Sequence, residues 1–391
     1  MRLRFLTAGE SHGPALTVIV EGLPAGIPVE RARIDRELVR RMGGYGRGGR
    51  MKIEADRVEI LGGVRFGATI GAPVAIAIRN LDHASWTEAM SPDGPHPGEQ
   101  AGRVVTRPRP GHADLAGALK FGTHDARDVL ERSSARETAA RTAAGALAKA
   151  LLEQAGIEVT SHSVAVGPAR AAAVEDRDFD ALLALPDEAP LRTLDAAAAA
   201  AMIAAVDEAR RAGDSIGGVF EVLARGVPTG LGSHAHWDRR LDGRIGGALL
   251  SIQAIKAVSI GEGLEAASRT GSEQHDEIGY DSAERRFVRP SNRAGGIEGG
   301  MSNGEMIRAS CWLKPLATLP RPLRSVDLRT KAAFEAQTER TDTIPLVAAG
   351  VVGEAMLALI LADELLLKLG GDSLAEVLRN LAGYRAALSD F

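Results

Sequence analysis

The chain has 391 residues, 45% of them hydrophobic, which supports one large core or two ordinary ones and excludes a disordered chain. Its 47 basic and 51 acidic residues leave a net charge of −4, arguing against a general nucleic-acid or membrane-surface role and making any arginine cluster a local feature. A single cysteine, Cys311, excludes an internal disulfide framework and a cysteine-based metal site and suits a reducing cytoplasm.

The opening MRLRFLTAGESHG turns polar before an apolar leader core develops, so no secretory signal is expected. β-branched or alternating runs predict strands at 15–22, 57–61, 73–80, 158–167, 218–226 and 306–313. Helical periodicity predicts helices over 32–42, from about 134 to Gly156, over 195–212 between Asp195 and Gly213, over 244–258, and near 342–369 and 373–388. The apolar stretch VAAGVVGEAMLALILADELLLKLGG is interrupted by Glu354, Asp363 and Glu364, which makes it a buried helix and not a membrane span. Strands and helices neither alternate regularly nor segregate, so the expected class is α+β, with antiparallel sheet on helices. No linker or short repeat divides the chain, which predicts a single domain over 1–391.

Four polar segments depart from packing logic. TAGESHGP (7–14) places Glu10, Ser11 and His12 between glycines, where a ligand can approach the backbone and a histidine can transfer protons; a turn with a surface histidine has equal standing. RRMGGYGRGGRMK (40–52) puts Arg41, Arg47 and Arg50 on a glycine-rich loop suited to a multiply charged anion. An RGG-type RNA-binding tract is its rival, although such tracts usually repeat, and a dinucleotide fingerprint fits worse because the glycines follow a helix.

GRVVTRPRPGHADLAG (102–117) carries Arg103, Arg107, Arg109 and His112 ahead of a helix. Arg132, Ser133, Ser134 and Arg136 follow at the expected start of the long helix, where free N–H groups and the dipole favour phosphate; an ordinary capped helix is the bland alternative. SNRAGGIEGGMSNGE (291–305) offers close backbone approach to a ring or phosphate, and in RTDTIPLVAAG either Thr341 or Asp342 is expected to cap the next helix. These features also suit a flavin-independent phosphate-ester hydrolase.

Taken together, GESHGPALTVIVEGLP, RRMGGYGRGGRM, RPGHADLAG, ERSSARET, GGIEGGMSNG and RTDTIPLVAAGVVGEAM resemble the chorismate synthase family, in family order over nearly the whole chain. The pattern departs at Thr341, Ile344 and Ala317. The resemblance implies a helical core sandwiched between antiparallel sheets, a homotetramer in the cytoplasm, and no nucleic-acid or membrane partner. It implies a lyase converting 5-enolpyruvylshikimate 3-phosphate to chorismate and phosphate by anti-1,4-elimination, with reduced FMN required but no net redox change.

That substrate bears two carboxylates and a phosphate, so a slightly acidic protein must gather arginines locally. Each pair is worth about 4 kcal/mol at 4 Å and an effective dielectric near 20, before desolvation. By the same resemblance, His12 protonates the leaving phosphate, His112 acts on the reduced flavin, and Asp342 relays a proton near flavin N5. FMN falls to Arg132, Ser133, Ser134, Gln253, Ala254, Gly299, Lys314, Pro315, Leu316, Ala317, Thr318 and Arg340. Substrate falls to Arg50, Arg109 and Arg136, with the 102–112 loop as one wall. Arg41 and Arg47 are left between substrate and NADPH, the possible reductant. His83, His96 and His124 are expected near the site, and His162, His234, His236 and His275 in structural or surface positions.

Overall fold

The computed structural model describes residues 3–48, 55–339 and 341–391. Strand β1 (Arg4–Ala8) pairs with β2 (Ala15–Glu21), whose alternation turns Leu16, Val18 and Val20 inward and leaves Ile19 exposed. Completing this sheet are β3 (Val58–Gly62) and β4 (Val74–Arg79), in the order β1-β2-β4-β3, antiparallel throughout. A second antiparallel sheet is built from β5 (Glu158–Val166), β6 (Ala169–Arg170), β7 (Gly218–Arg225), β8 (Ile255–Ile260) and β9 (Ile307–Leu313), ordered β8-β9-β7-β5-β6. Helices and antiparallel sheets in this mixture make the fold α+β.

The helices that position the site are α1 (Arg31–Met42), α2 (Asp114–Phe121), α3 (Arg127–Ser133), α4 (Thr138–Gln154), α5 (Ala196–Arg211), α6 (Leu241–Leu250), α7 (Leu346–Leu369) and α8 (Leu374–Ser389). Asp195 caps α5 by accepting from Ala198 N–H, and Ser373 with Glu376 forms a reciprocal capping box on α8. Helix α4 packs on β2 and β4, α7 packs on β5 and β7, and the two helices lie against each other. At their crossing a Cβ on Gly145 would sit 2.4 Å from the Ala355 Cα, so only glycine permits that approach.

Helix α7 is long and apolar enough to cross a membrane by length and composition, but 94% of its most apolar window is buried inside the protein. A helix apolar all round is what burial on every side requires. Its one fully buried carboxylate in mid-span, Glu354, accepts from Arg40 of α1 at 2.7 and 2.8 Å, from Lys149 of α4 at 2.6 Å and from Ser161 of β5 at 2.7 Å.

Three expectations need correction. The segment 244–258 is not one helix: α6 ends at Leu250, Ala254 adopts a left-handed φ of +68°, and the β-branched run that follows is strand β8. The long helix begins at Thr138, after a 3₁₀ turn over Ala135–Glu137, and Arg132 and Ser133 close the preceding helix α3. They therefore sit at a helix C-terminus, the end where the dipole disfavours an anion. The final apolar helix starts at Leu346, and neither Thr341 nor Asp342 caps it.

Burial alone would raise the Glu354 carboxyl, but Arg40 and Lys149 outweigh it and hold it well below the usual range. A depressed carboxylate contributes stability that is complete above the unfolded value, about pH 4.3, and lost as the pH falls. Glu354→Gln is expected to cost about 3–5 kcal/mol at neutral pH by removing the buried counter-ion that Arg40 and Lys149 share, leaving Glu37 as their remaining common partner. In denaturant titrations from pH 7 to 3 its stability should also fall less steeply than the wild type's. A parallel pH profile would rule out this role.

Candidate active site

A cavity of about 210 Å³ opens where α1, α4 and α7 end against the second sheet. One wall is apolar, formed by Ile252, Leu313, Leu316, Ala348, Ala349 and Val352. Also lining the cavity are Arg41, Arg47, Arg136, Ser134 and Asp342. Concave space with an apolar wall and convergent charged groups is the usual form of a small-molecule site.

Each cation is aimed by specific partners. Arg41 donates from Nε to Thr138 Oγ1 at 2.8 Å and from Nη2 to the Ala135 carbonyl at 2.8 Å. Arg47 pairs with Asp342 Oδ2 at 2.6 Å, while the other Asp342 oxygen accepts from Gly48 N–H at 2.6 Å. The Asp342 carboxylate thus fixes the 46–48 turn instead of capping α7. Arg136 is bound through Nη1 to Asp56 at 2.5 Å and through Nε to Asn80 Oδ1 at 2.9 Å.

Gln253 and Ala254 line the same cavity from the turn between α6 and β8. Gln253 donates to Glu137 at 3.3 Å, but its buried Oε1 accepts no hydrogen bond among the described residues. A buried acceptor left open is costly, which suits a guest that brings a donor. The pair of residues is in place because the chain breaks at Ala254.

The 314–318 segment joins this cavity to a second cluster. Leu316 lines the cavity, Lys314 Nζ donates to the Gly111 carbonyl, and Thr318 Oγ1 accepts from Arg109 at 2.9 Å. Arg109 is buried and donates to Asp114 at 2.8 and 3.1 Å. His112 Nδ1 lies 2.5 Å from the same carboxylate. Burial would raise Asp114, yet hydrogen bonds and charge from His112 and Arg109 hold it well below the usual range.

His12 is buried just behind the cavity wall and does not line it. Its loop reaches the wall through a 3.2 Å bond from Ser134 Oγ to Ser11 Oγ. The ring lies 2.9 and 3.0 Å from the Glu131 oxygens through Nδ1 and stacks on Trp86 with centroids 3.9 Å apart. The Arg103 guanidinium also lies over the Trp86 ring, 3.8 Å from its centroid.

Several expected residues lie elsewhere. Arg132 spans to Thr7 and Gly9 and, with Glu137 and Arg141, lines a separate cleft. Ser133 bonds weakly to the Leu130 carbonyl at 3.5 Å, and Gly299 turns a hairpin whose carbonyl accepts from Arg240. Pro315 and Ala317 belong to the connecting segment without lining the cavity, and no residue of the 102–112 loop lines it. Arg50 and Arg340 lie outside the described residues. His83 bonds through Nδ1 to the His12 carbonyl at 2.9 Å, His96 lines a neighbouring open cleft, and His124 is exposed. His162 is buried against Glu221 at 2.9 Å, and His236 is exposed.

Sequence reasoning missed Glu131, Asp114, Asp56, Asn80 and Trp86. Asp114 stands two residues after His112 and Glu131 opens ERSSARET, so the signal was their nearness to named residues. Asp56, Asn80 and Trp86 meet the site only through tertiary contacts.

The family model for chorismate synthase matches residues 3–366. The chain is 54% identical over 385 residues to the chorismate synthase of Symbiobacterium thermophilum, covering 98% of both chains. It is 56% identical to that of Desulforudis audaxviator, covering 98% of this chain and 97% of the relative. A crystal structure of a chorismate synthase superposes with a TM-score of 0.78 at 40% identity, covering 100% of this chain and 99% of the other. The protein is therefore an enzyme, a lyase acting on a small molecule. It belongs to the chorismate synthase family.

Removing the shared carboxylate tests the second cluster. Asp114→Ala should cost about 3–5 kcal/mol in chemical denaturation, because Arg109 would stay buried without its principal counter-ion. A loss under about 1 kcal/mol would mean that Glu339, now 3.7 Å from Arg109, takes over.

Proposed function

We propose that the protein converts 5-enolpyruvylshikimate 3-phosphate to chorismate and phosphate by anti-1,4-elimination, with reduced FMN required but not consumed, as one catalytic domain over 1–391. The observation that carries this reading is the convergence of Arg41, Arg47 and Arg136 on a cavity that also has an extensive apolar lining. A polyanion needs the first and a flat ring system the second. Family membership supplies the reaction class.

The residues present fit a flavin: the open Gln253 Oε1 suits a ring N–H, with Ala254, Leu316 and the apolar wall beside it. Reduced FMN, when bound, supplies the electron density that makes loss of phosphate and of an unactivated hydrogen feasible. The chain's own residues do the rest.

Arg41, Arg47 and Arg136 neutralise the substrate's carboxylates and phosphate. Because Arg41 and Arg47 line the same cavity as Arg136, we assign them to substrate and not to NADPH. Arg109, bound to Asp114 and 3.1 Å from His112 Nδ1, orients that histidine, and its substrate contact is indirect. By the family resemblance His12 is assigned the proton for the leaving phosphate and His112 a proton beside the flavin, roles that require the bound groups to extend past the cavity, whose lining includes neither histidine, while Asp342 accepts a proton on the cavity side. General acid catalysis of this kind is worth about 10²–10⁴ in rate.

We place the flavin's reduction outside this chain, with NADPH as a possible ultimate donor. A homotetramer would cover Leu6 and Ile19, which face each other across β1 and β2 and are both exposed. A reducing cytoplasm fits the lone buried Cys311, whose thiol burial pushes far up and keeps unreactive.

Anaerobic assays should show chorismate and phosphate formed together only with reduced FMN, which stays reduced. Phosphate release at full rate with oxidised flavin or none would replace this reading with a phosphate-ester hydrolase.

The two histidines should separate in single-turnover experiments. His12→Ala is expected to bind flavin and substrate but lose about 10²–10⁴ in kcat. His112→Ala should additionally alter the spectrum of bound reduced flavin across pH, and identical spectra in both variants would refute this division.

A further inference from the structure

Glu131 holds the loop carrying His12 through both its backbone and its side chain, beside Asn80, whose Nδ2 donates to the Glu10 and Gly13 carbonyls. Glu131 accepts the His12 backbone N–H at 2.9 Å through Oε2 and the Ser11 N–H at 3.0 Å through its carbonyl. Its two carboxylate oxygens lie 2.9 and 3.0 Å from His12 Nδ1. Arg127 Nη1 donates to the same carboxylate at 3.1 Å. The Glu131 side chain is 2% exposed, so these bonds have no competing water. Trp86 then closes one ring face, stacking at an interplanar angle of 22°.

This geometry restricts the chemistry of the ring. A nitrogen facing an ionised carboxylate carries a hydrogen whether the imidazole is neutral or protonated. Burial alone would raise Glu131, but hydrogen bonds and charge from His12, with help from Arg127, keep it below the usual range and therefore ionised. Nδ1 is thus committed, and Nε2 is the one ring nitrogen through which a proton can pass to a bound group.

We propose that Glu131 is a positioning residue for catalysis: it fixes the proton on His12 Nδ1, presents Nε2–H to the leaving phosphate, and is assisted by Trp86 clamping the ring. This rests on His12 being the proton donor. In the step, Nε2–H breaks as a phosphate O–H forms, and His12 is left as the neutral Nδ1–H tautomer with its bond to Glu131 intact.

The first measurement reads the wild-type enzyme. In ¹⁵N-histidine-labelled holoenzyme, with the His12 resonances identified by their loss in His12→Ala, neutral His12 should carry its proton on Nδ1. A neutral ring protonated on Nε2 overturns the proposal. Glu131→Gln keeps the shape but can turn either its oxygen or its NH₂ to Nδ1, so both tautomers should appear. Its kcat should then fall roughly 10²-fold, the lower end of a general acid's contribution, with KM within about threefold.

Wild-type kcat with an unchanged tautomer in Glu131→Gln overturns the proposal, and if that variant does not fold, the wild-type tautomer decides. Adding Glu131→Gln to His12→Ala should cost nothing more; a further loss of the same size would show Glu131 acting independently of His12. Full activity in His12→Ala alone would instead remove His12 as donor, while the tautomer still reports on Glu131.

Discussion

Glu354 sits in the middle of an apolar helix with no solvent contact, and its charge is tolerable only because Arg40, Lys149 and Ser161 reach it from α1, α4 and β5. Satisfying that one group fixes how three helices meet. The cavity is formed by those same helices: Arg41 from α1, Thr138 from α4, and Ala348, Ala349 and Val352 from α7. Consecutive residues divide the work at the end of α1. Arg40 turns inward to the buried carboxylate, and Arg41 turns to the cavity.

A second consequence of dry surroundings is that the site's arginines arrive already paired. Arg47 is held by Asp342, Arg136 by Asp56 and Arg109 by Asp114. Bringing an unpaired guanidinium into such a place would cost several kcal/mol, on the order of the attraction it could offer a ligand. The carboxylates remove that cost in advance and lock each fork in one orientation. The same logic governs the histidines, which are each fastened through Nδ1 to a buried acid. A pre-oriented polar site loses little in reorganisation when charge develops within it.

How much of this was readable without coordinates follows the range of each interaction. Strands such as 218–225 and 307–313 show themselves through local β-branched runs, and α5 and α8 through their Asp195 and Ser373 caps. The stretch 244–258 fails because Ile245, Leu249, Ile252 and Ile255 keep a helical spacing straight through it, and periodicity cannot see the left-handed turn at Ala254 that splits it into helix and strand. Arg132 and Ser133 were misplaced by their neighbours, since a helix end and a helix start lie within five residues. Of the residues assigned to the site, Arg41, Arg47, Ser134, Arg136, Gln253, Ala254, Leu316 and Asp342 do share one cavity. The acids that aim them come from distant segments such as Asp56, and nothing local in the sequence announces such a pairing.

The contact of α4 with α7 at Gly145 and Ala355 carries one more implication. Where two backbones touch without an intervening layer of side chains, there is no soft material to take up a shift between them. Thr138 on one helix and Ala348 and Val352 on the other are therefore walls at a set spacing. The strap at 314–318 and the turn at 46–48 are held by hydrogen bonds instead of helix packing, the first to Arg109, Gly111, Ser215 and Ala254 and the second to Asp342, Thr343 and Ile344. The cavity is thus built like a vice whose two helical jaws are set at a fixed gap, with the hydrogen-bonded strap and turn closing the remaining sides.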